Sequence, residues 1–141
     1  MRSTVKQGFS AGQAARLSGV TYRTLDYWAT SRFITPSLVP ASGKGSQRLY
    51  SFSDLVALRV ARDLRAAGIS LQALRKVVRY LRTRRKSASF ANSYLVSDGK
   101  DVFERRGEEL ISTLRSPGQM TSVWLVDLGR IVEELHRAIA V

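Results

Sequence analysis

The chain has 141 residues, of which 44% are hydrophobic, and its 23 Lys and Arg against 11 Asp and Glu give a formal net charge of +12. This length and composition predict one compact domain, or a small domain with an appendage, and argue against a disordered basic tail. Cysteine is absent and His136 is the sole histidine, which argues against disulfide scaffolds, zinc fingers, iron–sulfur clusters and cysteine nucleophiles.

The charge is concentrated in the first two thirds of the chain. Residues 1–90 hold 17 Lys and Arg against three Asp, a formal charge of +14, whereas residues 91–141 carry −2. Such a basic region indicates a polyanionic partner, most often nucleic acid, with a merely solvated basic surface as the alternative. We find no signal peptide and no apolar run of membrane-spanning length, so we expect a cytoplasmic, nucleoid-associated protein without a membrane partner.

Two short helices are predicted first. Ser10 and Gln13 have the spacing of a capping box, and a helix over 11–17 ends at Gly19. Thr21 is positioned to cap a second helix over 22–30. The helical period places Leu25, Trp28 and Ala29 on the buried side of the second helix and Thr21, Tyr22, Arg23, Asp26 and Tyr27 on its outer side.

The helical period fails over residues 33–50. An extended stretch over 34–40, a Gly- and Ser-rich turn over 41–46 and a return over 47–50 predict a small hairpin with a basic tip.

Two further helices follow. Ser51 and Asp54 open the third helix, which stops at Gly68. Ser70 caps the fourth, which runs to about Lys86. The apolar stripe of the fourth helix, taken as core, comprises Leu71, Leu74, Val77, Val78 and Leu81.

The remaining chain predicts a small α+β module. Residues 94–104 suggest a hairpin, 122–126 a strand, 116–119 a turn, and 108–114 either helix or strand. Asp127 is positioned to cap a last helix. The buried face expected for that helix comprises Leu128, Ile131, Val132, Leu135 and Ile139.

The order helix, tight turn, helix, basic hairpin, helix is that of a winged helix-turn-helix. Residues 9–20, 21–28, 45–51 and 64–71 resemble successive parts of the DNA-binding domain of the MerR family of bacterial transcription regulators, and the resemblance covers about residues 9–82. We therefore predict a mainly α fold: a tail at 1–8, a MerR-like winged helix-turn-helix at 9–86, a linker at 87–92 and an α+β module at 93–141.

The resemblance implies a sequence-specific double-stranded DNA-binding transcription regulator, with the second helix in the major groove and the basic wing on the backbone or minor groove. Arg23 is the candidate for a base-edge contact, unless it pairs with Asp26 or Tyr27. The other DNA-binding candidates are Thr21, Tyr22 and Tyr27 on the helix, Lys44 and Arg48 in the wing, Tyr50, and Arg59 and Arg62 on the third helix.

Several other positions also have alternatives. Tyr50 either binds a phosphate or closes the wing against the core, and Arg59 and Arg62 either bind phosphates, pair with Asp63 or are simply solvated. Asp26 departs from the family pattern, which often has a basic residue there, and it either restrains Arg23 or accepts from cytosine.

The MerR resemblance also implies a homodimer that untwists a promoter so that RNA polymerase engages it. The fourth helix lacks the heptads of the dimerising coiled coil that many members carry. Residues 93–141 are therefore expected to dimerise or bind a protein partner, unless they complete the core of a monomer.

An enzyme is not expected, nor a catalytic residue, cofactor or metal. His136 has no plausible ligand partners, and Glu108–Glu109 and Glu133–Glu134 are pairs in sequence alone, because neighbours on a helix point apart. Two alternative functions stay open: an architectural DNA-bending or excisionase-like recombination factor, and an antitoxin or protein-interaction module tethered to DNA.

Overall fold

The protein is described by a computed structural model that covers residues 8–39, 48–85, 89–98, 101–110 and 124–141. The chain divides into two compact units, one ending at Ile69 and the other running from Ser70 to Ala140. Within the described ranges, no helix has both the length and the apolar character needed to span a membrane.

The first unit contains the three predicted helices: α1 (Ala11–Ser18), α2 (Tyr22–Thr30) and α3 (Phe52–Ala66). Each begins at its predicted cap, where a hydroxyl accepts from the backbone N–H three residues on: Ser10 from Gln13 at 3.2 Å, Thr21 from Thr24 at 3.1 Å and Ser51 from Asp54 at 3.1 Å. These caps satisfy N–H groups that the helices themselves leave unbonded.

Gly19 forms the tight turn between α1 and α2. Its φ of 80° lies in the left-handed region, and its N–H bonds the carbonyl of Ala15 at 3.0 Å. A Cβ at this position would lie 2.0 Å from Nη1 of Arg62. The backbone conformation at the turn therefore favours glycine, and a Cβ would also displace the Arg62 guanidinium.

The core of the first unit lies between the inner faces of these helices. Its fully or almost fully buried side chains include Ala14, Leu25, Trp28, Ile34, Leu55, Leu58 and Ala61. The prediction that Leu25, Trp28 and Ala29 form the inner side of α2 is confirmed, and Trp28 meets Phe33 edge-to-face with ring centroids 5.3 Å apart.

The predicted hairpin is confirmed at its base. Val39 pairs with Leu49 in an antiparallel bridge, and the returning strand makes a second antiparallel bridge outside the hairpin, between Tyr50 and Phe9. The basic tip, including Lys44, falls in residues 40–47, outside the described ranges, as does the tail up to residue 7.

Asp54 fastens the first strand of this hairpin to α3. Its Oδ2 accepts hydrogen bonds from the N–H of Ser51, the N–H of Ser37 and the hydroxyl of Ser37, each at 2.8 Å. The side chain is buried. One carboxylate thus caps the helix and holds a strand 17 residues away.

We expect Asp54→Asn to lower the free energy of unfolding of the first unit by about 1–2 kcal/mol, because a neutral amide replaces the charged acceptor of three hydrogen bonds. Urea denaturation followed by circular dichroism measures the loss. Asp101→Asn, the same change at an exposed side chain, is the control. Equal midpoints for the two variants would contradict the role given to Asp54.

The second unit packs two helices with a small sheet. Its elements are α4 (Leu71–Thr83), β1 (Ser93–Ser97), β2 (Val102–Arg106), β3 (Trp124–Asp127) and α5 (Leu128–Ala140). The strands are antiparallel in the order β2-β1-β3. The predicted fold class, a winged helix-turn-helix followed by a small α+β module, is confirmed. Residues 107–110 are helical, and the turn predicted at 116–119 lies outside the described ranges.

Helix α4 is shorter than predicted. It ends at Thr83, since Arg84 is extended, with φ −70° and ψ 156°. The stripe of Leu74, Val77, Val78 and Leu81 is buried as predicted, but Leu71 is exposed. The division into compact units also places α4 with the sheet, whereas the sequence boundaries grouped the fourth helix with the first three.

A polar cluster of Tyr80, Arg84, Ser93 and Glu104, here the Glu104 cluster, joins α4 to β1 and β2. The Glu104 carboxylate accepts from Nε of Arg84 at 3.0 Å, from Nη2 of Arg84 at 2.5 Å, and from the hydroxyls of Tyr80 and Ser93. Burial alone would raise the pKa of Glu104, but the hydrogen bonds from Arg84, Ser93 and Tyr80 outweigh it and lower the pKa to about 2. Burial and the hydrogen bond to Glu104 raise the pKa of Tyr80 to about 12.

The last helix is capped as predicted. Asp127 Oδ1 accepts from the N–H of Arg130 at 3.0 Å. Of the expected inner face of α5, Leu128, Ile131 and Leu135 are buried, whereas Val132 and Ile139 are only half-buried.

Candidate nucleic-acid interface

The outer face of α2 presents two tyrosines and an arginine to solvent. Tyr22 and Tyr27 are 58% and 66% exposed, and Arg23 is exposed between them. Arg23 makes no ion pair with a described residue, so its guanidinium is available to a partner. The Thr21 hydroxyl is engaged locally: it caps α2 and donates to the hydroxyl of Thr24 at 2.9 Å.

An ion pair connects α2 to the returning strand of the hairpin. Nη2 of Arg48 donates to Oδ1 of Asp26 at 2.6 Å, and the two side chains are 14% and 47% exposed. The hydrogen bond to Asp26 raises the pKa of Arg48 above its usual value, against the opposing effect of burial. Asp26 therefore restrains the wing residue Arg48, whereas its expected partner was Arg23.

Tyr50 follows Arg48 by two residues and interacts with its charge. Its side chain is completely buried, and its hydroxyl and Nη1 of Arg48 are buried without a hydrogen bond to a described residue. Burial raises the pKa of Tyr50, although the charge of Arg48 opposes the shift. Of the two roles expected for Tyr50, this position favours packing of the wing over a phosphate contact.

Asp63 holds both basic candidates of α3. Nε of Arg59 lies 3.3 Å from Asp63 Oδ2, and Nη2 of Arg62 lies 2.7 Å from Oδ1. The Arg62 guanidinium also packs against Gly19, next to the start of α2. The expected alternative, pairing with Asp63, is thus the arrangement that the structure has, and Asp63 neutralises one of the two charges.

Comparison with models of known protein families identifies the family of this chain. The family model described as "MerR HTH family regulatory protein" matches residues 9–81, more than half of the chain. The chain belongs to the MerR family. The described residues that carried the resemblance in the sequence lie within α1, α2, the base of the hairpin and α3, continuing into α4.

Curated relatives of this MerR chain carry the same type of name. Uncharacterized HTH-type transcriptional regulators of Mycobacterium bovis and of two strains of Mycobacterium tuberculosis are each 39% identical over 133 residues, which is 94% of this chain. The alignment covers 58% of each relative, so the chain spans little more than half the length of those proteins.

The part of this MerR chain that the structure describes contains no candidate metal site. No group of His, Cys, Asp or Glu side chains there could hold an ion, and His136 lies exposed on α5. Lys44, the candidate at the wing tip, falls outside the described residues.

The Asp26–Arg48 pairing is the feature of the site that sequence reasoning missed. The two residues are 22 positions apart, and the local spacing pointed to Arg23, three positions before Asp26. The pair could have been predicted from charge. Asp26 is an acid on an otherwise basic face and needs a nearby cation, and Arg48 in the wing is one.

Proposed function

We propose that this MerR-family chain is a sequence-specific regulator of transcription that binds double-stranded DNA, with α2 in the major groove and the hairpin on the flanking backbone or minor groove. The exposed Tyr22, Arg23 and Tyr27 face has the donors that base edges and phosphates accept. The observation that carries the proposal is the Asp26–Arg48 ion pair, because it fixes the wing strand to the recognition helix. Two rigidly linked elements can meet adjacent parts of one duplex together.

Charge supports the same assignment. The N-terminal two thirds of the chain carries the whole cationic excess, and phosphate contacts supply much of the affinity of DNA-binding proteins. In this proposal Lys44 binds a phosphate, as does the one positive charge that Asp63 leaves on Arg59 and Arg62, whereas Thr21 and Tyr50 act by capping α2 and packing the wing.

The proposal includes a homodimer formed through residues 93–141, which would match a two-fold DNA site and present the promoter to RNA polymerase. Apolar surface on the second unit supports the proposed homodimer. Leu125 is exposed on β3, at one edge of the described sheet, and Val132 and Ile139 of α5 are half-buried.

The test combines light scattering of the purified chain with footprinting on genomic fragments. A dimer that protects one inverted repeat supports the regulator. Protection that spreads over extended repeats would instead identify an architectural DNA-bending factor. A chain that protects no DNA sequence would be a tethered interaction module.

We expect Arg23→Ala to weaken binding to a selected site by about 1–3 kcal/mol, roughly 5- to 150-fold, and to leave binding to random duplex almost unchanged. The reason is that a guanidinium that reads a base edge contributes mainly to the correct sequence. Fluorescence anisotropy at fixed salt measures both affinities.

Two further variants complete this experiment. Lys44→Ala should weaken selected and random duplexes alike, since a phosphate contact carries no sequence information. Arg137→Ala, on α5, controls for the loss of one positive charge. If Arg23→Ala lowered both affinities by the same factor, Arg23 would be a backbone contact and its base-reading role would be wrong.

A further inference from the structure

Asp26 is the acidic residue on the recognition face of α2. It follows Tyr22 by four positions and Arg23 by three, so all three side chains are neighbours on the helix surface. Nearly half of the Asp26 side chain is exposed. An acid on this face would be repelled by phosphates unless its charge were balanced.

Arg48 provides that balance from the wing. It occupies Oδ1 of Asp26 through a hydrogen bond of 2.6 Å, and its own side chain is mostly buried. The guanidinium therefore offsets the carboxylate charge and fixes the rotamer of Asp26. No described residue hydrogen-bonds Oδ2 of Asp26, which leaves one acceptor available on the exposed face.

The hydrogen-bond donors in the major groove of DNA determine what Oδ2 of Asp26 can bind. A carboxylate only accepts, and the donors on major-groove base edges are the amino groups of cytosine and adenine. Guanine and thymine present acceptor oxygens that repel it. Adenine places the N7 acceptor beside its amino group, whereas cytosine presents N4 without an acceptor on the same base, so cytosine is favoured.

We propose that Asp26 is a specificity-determining residue: Arg48 holds one carboxylate oxygen, and the other accepts a hydrogen bond from an exocyclic amino group in the major groove, cytosine N4 before adenine N6. This inference rests on the proposed DNA-binding function and names a base contact within it. The ion pair then has two effects, since it joins wing to helix and orients the group that reads the base.

The test is selection of duplexes from a randomised pool by the full chain and its variants, followed by sequencing of the bound DNA. Wild type should prefer cytosine at one base pair of the site. Asp26→Ala should reduce that preference by about 5- to 10-fold at this base pair and leave the others unchanged. Asp26→Asn should move the preference toward adenine, whose N6 and N7 an amide bonds together.

Glu134→Gln is the matched control, because Glu134 also pairs with an arginine, Arg130, but lies on α5. It should leave every base preference as in wild type. A wild-type preference for adenine that Asp26→Ala removes would support the contact with N6 as its donor.

Asp26 variants that lose affinity equally for all sequences, with unchanged preferences, would overturn the inference and leave Asp26 as a positioning residue for the wing. A wild-type chain that selects no duplex at all would overturn the proposed function itself. The two failures are distinct, because the first appears only in the variants.

Discussion

Replacing Glu104 with glutamine is expected to lower the free energy of unfolding of the second unit by about 3–5 kcal/mol, the usual cost of breaking a buried ion pair. Arg84 and Glu104 are only 7% and 17% exposed, so the guanidinium would be left in a site with little access to water and without the charge of Glu104. Glutamine has one acceptor oxygen, whereas Glu104 uses both of its oxygens for Tyr80, Arg84 and Ser93.

The Glu104 cluster also makes the free energy of unfolding of the second unit depend on pH. The pKa of Glu104 falls from its usual 4.5 to about 2 in the folded chain, so its contribution is fully present above pH 4.5 and is lost as the pH falls toward 2. The loss across that window is about 3 kcal/mol at most. Glu104→Gln should remove this part of the acid sensitivity.

Urea denaturation at pH 7 and pH 3, followed by circular dichroism, measures both effects. Glu133→Gln makes the same chemical change at an exposed position of α5 and should leave the midpoint almost unchanged. Glu104→Gln and Glu133→Gln with equal midpoints at pH 7 would show that the Glu104 cluster does not stabilise the second unit.

The helix starts could be predicted from sequence because their signals are local. Ser10, Thr21, Ser51 and Ser70 each cap the helix that immediately follows, and a cap bonds a backbone group three residues away. The outer face of α2 was predictable for a similar reason, since helical period alone separates Leu25 and Trp28 from Tyr22 and Arg23.

The parts that sequence reasoning missed depend on long-range pairs. The sequence predicted that α4 runs out in the basic residues 84–86, near Lys86. The chain leaves the helix at Arg84, whose side chain reaches Glu104, 20 residues away. Asp26 and Arg48 meet only when the hairpin folds back onto α2, so spacing along one helix could not identify the partner of Asp26.

These pairs change how the charge of the chain is interpreted. The formal charge of +14 over residues 1–90 suggests many phosphate contacts, but Asp26 and Asp63 hold Arg48, Arg59 and Arg62. An arginine that leaves a carboxylate for a phosphate leaves behind a carboxylate that recruits a cation from solution. A phosphate contact made by a paired arginine therefore releases fewer counterions than one made by an unpaired cation.

On this basis the DNA affinity of the proposed dimer should fall about 150-fold between about 50 and 200 mM salt. Lys44 and the excess charge of the Arg59–Arg62–Asp63 group give about two net phosphate contacts per chain and about four per dimer, a log–log slope near −4. A monomer on DNA should show about half that slope and lose only about 12-fold. Anisotropy titrations over this salt range measure the slope directly.

Asp63→Asn tests the argument about paired arginines, because it frees one more positive charge without altering α2 or the wing. The slope should steepen by about 0.9 for each bound chain, and affinity at low salt should rise. An unchanged slope would mean that Arg59 and Arg62 lie away from the phosphates. The phosphate contacts would then be confined to the wing, and the predicted slope for the dimer would fall to about −2.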